Sequence, residues 1–315
     1  MYGIGVDLGG TNVRAAAVND SGNILRRVEM RTPSHGTAEE IIASIAGLVE
    51  ELRNHSSTAG LPIAGIGISI PGLLVPDRKS VRASVNLPSL PGYPIVDSLQ
   101  ERLGHDLPIQ VENDGNAATL GELYMGSDHG LKDLALFTLG TGVGGGIVIG
   151  GKIVRGFWSM AGELGHIIVE TGGHECGCGA SGCLEQYASA SAIKRLASEH
   201  HLDVFDPQAV YNLALAGNSS AVKVFEIVGR SLGRAIGMLA NCLNLPLYLI
   251  GGGVSAAWDA FEGSMQDELI NTSIVYKTAP ALVRRAALGS DAGLYGAAWL
   301  ALSEEHTVAT DLTRS

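Results

Sequence analysis

Positive charge is scarce in this sequence. Its 21 Lys and Arg residues face 32 Asp and Glu over 315 residues, for a net charge of −11. A nucleic-acid binder neutralises phosphates with Lys and Arg, and no basic stripe is present to do so. Aromatic residues make up 5%, too few for a stacking platform that reads oligonucleotides or glycans. Cysteines number four, and no signal-like segment opens the sequence, so disulfides are not expected and the cytoplasm is the expected compartment. The one long run almost free of charge, Gly237 to Trp258, contains Asn241, Asn244, Pro246 and three successive glycines, which interrupt any membrane-spanning helix. A buried helix followed by a buried strand is predicted there, with no membrane association. Glycine, by contrast, is abundant at 43 residues, often clustered at the ends of apolar runs, where backbone must approach a ligand. With 46% apolar and 17% charged residues the chain is globular, and its length suits two domains.

Three of the four cysteines fall in one short stretch, Cys176-Gly-Cys178-Gly-Ala-Ser-Gly-Cys183. Glu163-Leu-Gly-His166 lies ten residues upstream, and Leu184-Glu185 follows directly. Three sulfurs and one imidazole nitrogen are the donors that tetrahedral zinc accepts, and the small residues between them let the chain wrap an ion. A closed Cys3His site leaves no open position, so this Zn²⁺ is expected to be structural, locking the loop that carries Glu163 and Glu185. His174 is a rival nitrogen, only two residues before Cys176. The competing reading, buried reduced thiols without metal, fits poorly with so polar and glycine-rich a stretch. Cys242, in an apolar helical run, is expected to be a core residue.

Strand Tyr2–Leu8 runs into Asp7-Leu-Gly9-Gly10-Thr11-Asn12, followed by strands from Val13 to Val18 and from Ile24 to Met30. The glycines therefore sit on a hairpin, unlike Walker or Rossmann loops, which lead into a helix. Such a turn can bind phosphate through backbone N–H groups and the Thr hydroxyl, although a plain hairpin turn reads the same way. A second copy of the plan appears at Leu139-Gly-Thr141-Gly142-Val-Gly-Gly-Gly146, so two halves built alike are predicted, able to hold an oligophosphate from both sides. Ala38–Arg53 has helical spacing with Thr37 as N-cap. The strand ending at Glu112-Asn113-Asp114 leads into a helix predicted from Asn116 to Tyr124. Asp114 either faces the crevice at the strand's C-terminal end or caps that helix. Helices are predicted over Ser189–Ser198 and Ser220–Leu243. Strand Leu247–Ile250 ends in Gly251-Gly252-Gly253, which fits contact with a flat ligand such as a purine nucleoside or a tight strand-to-helix turn. A last strand is predicted over Leu282–Leu288 and a last helix over Asp291–Leu302, with a frayed tail from Glu304 to Ser315.

Taken together, these motifs resemble the ROK (repressor, open reading frame, kinase) sugar kinases of the actin/hexokinase superfamily. The resemblance spans almost the whole chain in the family's order. It implies an α/β fold of the two-domain actin-like ATPase (ribonuclease H-like) type, each domain a mixed sheet with flanking helices and a cleft between them. The implied domains are 1–115 plus 293–315, and 116–292 carrying the zinc loop. The implied reaction moves the γ-phosphoryl of Mg-ATP to a hexose hydroxyl, with Asp114 as general base. The implied sugar-binding residues are Asn113, Asp114, Glu163, His166 and Glu185, with Asn86 and Gly72 added. The nucleotide positions are Asp7, Gly9, Gly10, Thr11 and Asn12, then Thr141 and Gly142, then Gly252 and Gly253. Asp7 would hold Mg²⁺ through water. His166, Cys176, Cys178 and Cys183 match the family's zinc ligands, with the second imidazole nitrogen facing the sugar. Asn12 stands where many relatives carry Lys, which removes a charge contact to phosphate from that position.

Glucose, phosphorylated at its 6-hydroxyl, is the expected acceptor, since Glu163, His166 and Glu185 suit a pyranose with equatorial hydroxyls. N-acetylmannosamine is the alternative, then mannose, fructose, allose or N-acetylglucosamine. Polyphosphate is an alternative donor, but no basic track favours it. A non-catalytic sugar sensor would be expected to lose Asp114 or a Gly-Thr turn, and both are intact. Repressors of the family carry a helix-turn-helix ahead of the first glycine turn; with Asp7 the seventh residue here, a kinase and not a DNA-binding regulator is expected. A homodimer or a dimer of dimers is the family expectation.

Overall fold

The computed structural model describes residues 1–128 and 130–303 and divides into two compact units. Among the described residues, the first comprises Met1–Ser127, Arg155–Ala161 and Asp291–Ser303; the second comprises Asp128–Val154 and Gly162–Ser290. The tail expected to fray, from Glu304, lies outside the described residues.

The first unit begins with β1 (Tyr2–Leu8), β2 (Asn12–Asn19), β3 (Ile24–Arg31), α1 (Ala38–Arg53) and β4 (Ile63–Ile70). It continues with β5 (Leu73–Leu74), β6 (Val81–Ala83), α2 (Ile95–Leu103), β7 (Ile109–Asn113) and α3 (Asp114–Met125). Its main sheet has the order β3-β2-β1-β4-β7, with β1 antiparallel to β2 and parallel to β4. α1 starts where a capping box starts it: the Glu40 N–H donates to Thr37 Oγ1 at 3.2 Å, and the Thr37 N–H donates to Glu40 Oε2 at 2.7 Å. Its Ile41, Ile45, Val49 and Leu52 are fully buried against the sheet.

The second unit holds β8 (Leu134–Leu139), β9 (Val143–Ile149) and β10 (Lys152–Ile153), then a single 3₁₀ turn at Leu164–His166. There follow α4 (Glu185–Ala188), α5 (Ala190–Glu199), α6 (Pro207–Leu215), α7 (Ser219–Leu243) and β11 (Leu247–Gly251). α8 (Trp258–Thr272), α9 (Ile274–Thr278) and β12 (Leu282–Arg285) complete it. Its sheet has the order β10-β9-β8-β11-β12. β8 is antiparallel to β9 and parallel to β11. This is the first unit's plan again: an antiparallel hairpin closed by a Gly-Thr turn, with parallel strands added on its other side. Two halves on one plan, read from two short motifs, are therefore present in the strand order. α7 packs on α8 through Gly229, Gly233 and Gly237; a methyl group on Gly229 would fall 2.3 Å from the Phe261 carbonyl oxygen. Among the described residues no helix is long and apolar enough to cross a membrane.

α10 (Ala292–Leu302) returns to the first unit and packs on β1, β4 and α3 at backbone distance. A Cβ added to Gly67 would lie 1.8 Å from the Ala297 carbonyl oxygen, and one on Gly296 would lie 1.7 Å from that of Ala117. Tyr124 of α3 stacks on Trp299 of α10, with ring centroids 3.7 Å apart. These contacts put all of α3 in the first unit, whereas the expected boundary at 115/116 would cut it after two residues. Other expectations also shift. α3 begins at Asp114 and not at Asn116, and β12 stops at Arg285. Cys242 is exposed, because the buried stripe of α7 passes through Leu232, Ile236 and Ala240 and residue 242 falls on the opposite face.

Two glycines of the first unit give a direct test. Gly67→Ala should cost at least about 2 kcal/mol, because backbone and not a flexible side chain blocks the methyl. Gly47, exposed on α1 with nothing within 4 Å of a built Cβ, should gain about 0.5–1 kcal/mol on Gly47→Ala. Urea unfolding midpoints that moved the same way for both variants would contradict this packing.

Candidate active site

In the first unit, the turn between β1 and β2 is closed by the Gly9 N–H donating to the Asn12 carbonyl at 2.9 Å. Thr32 supports it from β3's end, its Oγ1 donating to the Gly9 carbonyl at 2.8 Å. Gly10 sits against Asn86, whose Cβ would lie 3.3 Å from a Cβ at position 10. Thr11 and Asn12 are exposed. Asp7 stands opposite Arg14 in the β1–β2 register and beside Ser69 in the β1–β4 register. It pairs with the Arg14 guanidinium and accepts from Ser69 Oγ at 3.1 Å. Arg14 also reaches Asp291 at 3.6 Å.

β7 delivers Asn113 and Asp114 to the start of α3. Asn113 takes the cap, its side-chain oxygen accepting from the Asn116 N–H at 3.1 Å, while its Nδ2 donates to the Gly72 carbonyl at 3.0 Å. Asp114 is therefore the first helical residue and not the cap. It is exposed, with Oδ1 accepting from the Gly115 N–H at 2.9 Å. Gly72 adopts φ 135°, and a Cβ there would meet the Ala83 carbonyl at 2.4 Å. Gly72, Asn113 and Asp114 thus come together, as do Gly10 and Asn86.

In the second unit, the Gly140 N–H donates to the Gly142 carbonyl at 2.9 Å. The head of α5 anchors this turn: the Ala190 N–H donates to the Gly140 carbonyl and Ser191 Oγ to that of Thr141, each at 2.8 Å. Glu185 lies directly beneath. Its Oε2 accepts from the Val143 N–H at 3.0 Å, and a Cβ on Gly142 would fall 2.3 Å from that oxygen.

The four sulfur and nitrogen donors converge. His166 Nδ1 is 3.6 Å from Cys176 Sγ, and Cys178 Sγ is 3.6 Å from Cys183 Sγ. All four ligand atoms lie within 4.8 Å of one another. Donors bound tetrahedrally to zinc at about 2.0–2.3 Å stand roughly 3.4–3.8 Å apart, so the set fits the ion. Burial and the neighbouring thiols push the Cys183 thiol up to about 12; a divalent cation supplies the charge that lets it ionise. The loop is tied by the Cys176 N–H to the Ala180 carbonyl at 2.8 Å and by the Gly182 N–H to that of His174 at 2.8 Å. His174 itself turns away toward Glu199, 3.7 Å from its carboxylate, and is not in the cluster. His166 Nε2 is 4.0 Å from Glu163 Oε2. Burial, with the Glu185 charge added and His166 opposing, raises the Glu163 pKa above its ordinary value.

A cavity of about 360 Å³ opens beside the second turn, lined by Gly140, Thr141, Gly253, Asp206, Gln208 and Tyr211 among others. Gly252 does not line it. It adopts φ 79°, and a Cβ there would meet the Leu139 carbonyl at 2.4 Å. Asp206, Gln208 and Tyr211 escaped the sequence reading, although Asp206-Pro207 is a helix-start signal: Asp206 caps α6 by accepting from the Ala209 N–H at 3.0 Å.

Cys178 is exposed, so Cys178→Ser removes a ligand without opening the core. The variant should lose zinc on dialysis that wild type retains, and its thermal midpoint should fall by several degrees. A full zinc complement in the variant, measured by atomic emission, would contradict the assignment.

The ROK family profile matches residues 3–304. A glucokinase from Halalkalibacterium halodurans is 35% identical, over 97% of this chain and 96% of its own. An N-acetylmannosamine kinase from Escherichia fergusonii is 33% identical, over 97% and 100%. Among solved structures, a ROK family glucokinase from Streptomyces griseus in complex with glucose and AMPPNP superposes with a TM-score of 0.77. It is 34% identical, over 95% of this chain and 99% of its own. Two sheets on one plan, two Gly-Thr turns, a Cys3His cluster between paired glutamates and a match along nearly the whole chain lead to one statement: this chain belongs to the ROK family, with that family's actin-like ATPase fold.

Proposed function

We propose that the chain is an ATP-dependent hexose kinase that phosphorylates glucose at its 6-hydroxyl. The observation that carries this is the repeated hairpin: each sheet ends its first strand in a Gly-Thr turn with bare backbone. The similarity to a glucokinase that binds glucose and AMPPNP supports the same reading.

A sugar hydroxyl is a weak nucleophile. In this reading the exposed Asp114 carboxylate accepts its proton as the new P–O bond forms and ADP departs. Asn113, Gly72 and Asn86 in the first unit, and Glu163, His166 and Glu185 in the second, contact the sugar. Gly9, Gly10, Thr11 and Asn12 hold phosphate at the first turn and Thr141 and Gly142 at the second, while the cavity beside Thr141 takes the nucleoside, with Gly252 shaping its edge and Gly253 against the base. Asp7, held by Arg14 and Ser69, would hold Mg²⁺ through water, and the ion would supply charge neutralisation on the phosphates. His166, Cys176, Cys178 and Cys183 would hold zinc, which would fix the His166 tautomer, and the other ring nitrogen of His166 would face a sugar hydroxyl. The protein works in the cytoplasm as a homodimer or a dimer of dimers.

N-acetylmannosamine is the second reading, favoured by the kinase for that sugar among the relatives. Turnover across a panel of hexoses and N-acetylhexosamines separates the two: kcat/KM should be highest for glucose, and a lead for N-acetylmannosamine would change the acceptor alone. Asp114→Ala should lower kcat by roughly 10²–10⁴-fold with glucose binding still measurable by calorimetry. Near-full turnover in that variant would contradict the general-base assignment.

A further inference from the structure

Glu112 is a buried carboxylate to which the reaction above gives no task. It is 1% exposed and lies two residues before Asp114, at the end of β7. A charge buried so deeply is unfavourable unless fully paired. Four donors meet it. Its Oε2 accepts from Arg155 Nε at 2.7 Å and from Arg78 Nη1 at 3.1 Å. Its Oε1 accepts from the Asn113 backbone N–H and from Asn116 Nδ2, each at 3.1 Å. Asn113 and Asn116 are in turn joined by the helix cap, and Asn113 is tied to the Gly72 carbonyl. Asp114 therefore sits between two residues that both hang on the Glu112 side chain.

The two arginines reach Glu112 by unusual routes. Arg78 is buried and holds a left-handed backbone, φ 56°, a conformation that costs a non-glycine residue on the order of 1 kcal/mol and clusters at functional positions. Arg155 opens the Arg155–Ala161 segment, which belongs to the first unit although the residues on either side of it belong to the second. Packing alone does not account for this arrangement, because buried ion pairs seldom stabilise a fold more than apolar residues of the same volume.

We propose that Glu112 is a positioning residue for the Asp114 base, and that Arg155 is the anchor that holds Glu112 in register. The pair fixes the Asn113–Asp114 turn, so that the Asp114 carboxylate enters the reaction at a set angle. This inference rests on the reading of Asp114 as base.

Glu112→Gln keeps the volume but removes the charge and turns an NH2 group toward two guanidiniums. Its kcat should fall by about 10–100-fold, more than the change in glucose KM that a loosened Asn113 brings. Arg155→Ala should act in the same direction, and guanidinium at non-denaturing concentration should restore part of its turnover where an equal concentration of sodium chloride does not. Because both changes break one interaction, the double variant should be no slower than Glu112→Gln alone. Should Glu112→Gln not fold, Arg155→Ala carries the test by itself, since Arg78 still pairs Glu112 and the Arg155 side chain is 23% exposed. Unchanged kcat in the folded variants, losses confined to KM, or additive losses in the double variant would overturn the proposal. Turnover surviving in Asp114→Ala would overturn the base assignment; a dead Asp114→Ala beside fully active Glu112 and Arg155 variants would overturn this inference alone.

Discussion

A tight turn that presents backbone N–H groups needs glycine where a Cβ would crowd it, and the reading of both turns as phosphate contacts depends on that constraint. Each sheet has such a turn in its first hairpin, Gly9–Asn12 in one and Gly140–Gly142 in the other. In the second unit the turn is also coupled to the Cys-rich loop. One oxygen of Glu185 holds the Val143 N–H, and the other lies 4.0 Å from Cys176 Sγ. Glu185 follows the ligand Cys183 by two residues, so a metal on Cys183 would restrain the start of the helix that carries this carboxylate. The Cys3His cluster and the Gly140–Gly142 turn are thus joined through Glu185.

Charge is distributed in the first unit by the same economy of partners. Asp114 is exposed and Glu112 buried, two residues apart on one strand and helix junction. The buried member is surrounded by donors; the exposed one is the carboxylate proposed to accept a proton. Asp7 is held between Arg14 and Ser69, and Arg14 reaches on to Asp291 just before α10. The packing that returns the C-terminal helix to the first sheet thus bears on the orientation of the residue proposed to hold hydrated magnesium.

Much of this was legible in the sequence where the cause is local. Thr37 as N-cap set the start of α1, the hairpins followed from Gly-Thr between apolar runs, and the Cys and His spacing brought four ligand atoms together. What escaped depends on distant partners or weak patterns. α6 buries only Val210, so its periodicity was faint and the cavity residues Asp206, Gln208 and Tyr211 went unread. The Arg155–Glu112 pair spans 43 residues, and nothing near either residue announces it. The extent of the first unit depends on Gly121 and Gly296 meeting across α3 and α10, a contact invisible to any local window. Asn113, and not Asp114, caps α3, a choice decided by side-chain geometry within one turn.

The most direct test of the central claim is the identity of the phosphorylated product. Incubated with Mg-ATP and glucose, the protein should generate ADP and a hexose monophosphate ester in equal amounts, visible together by phosphorus NMR, with the ester at the 6-position. ADP accompanied by free inorganic phosphate, with no sugar ester for any acceptor, would contradict the account.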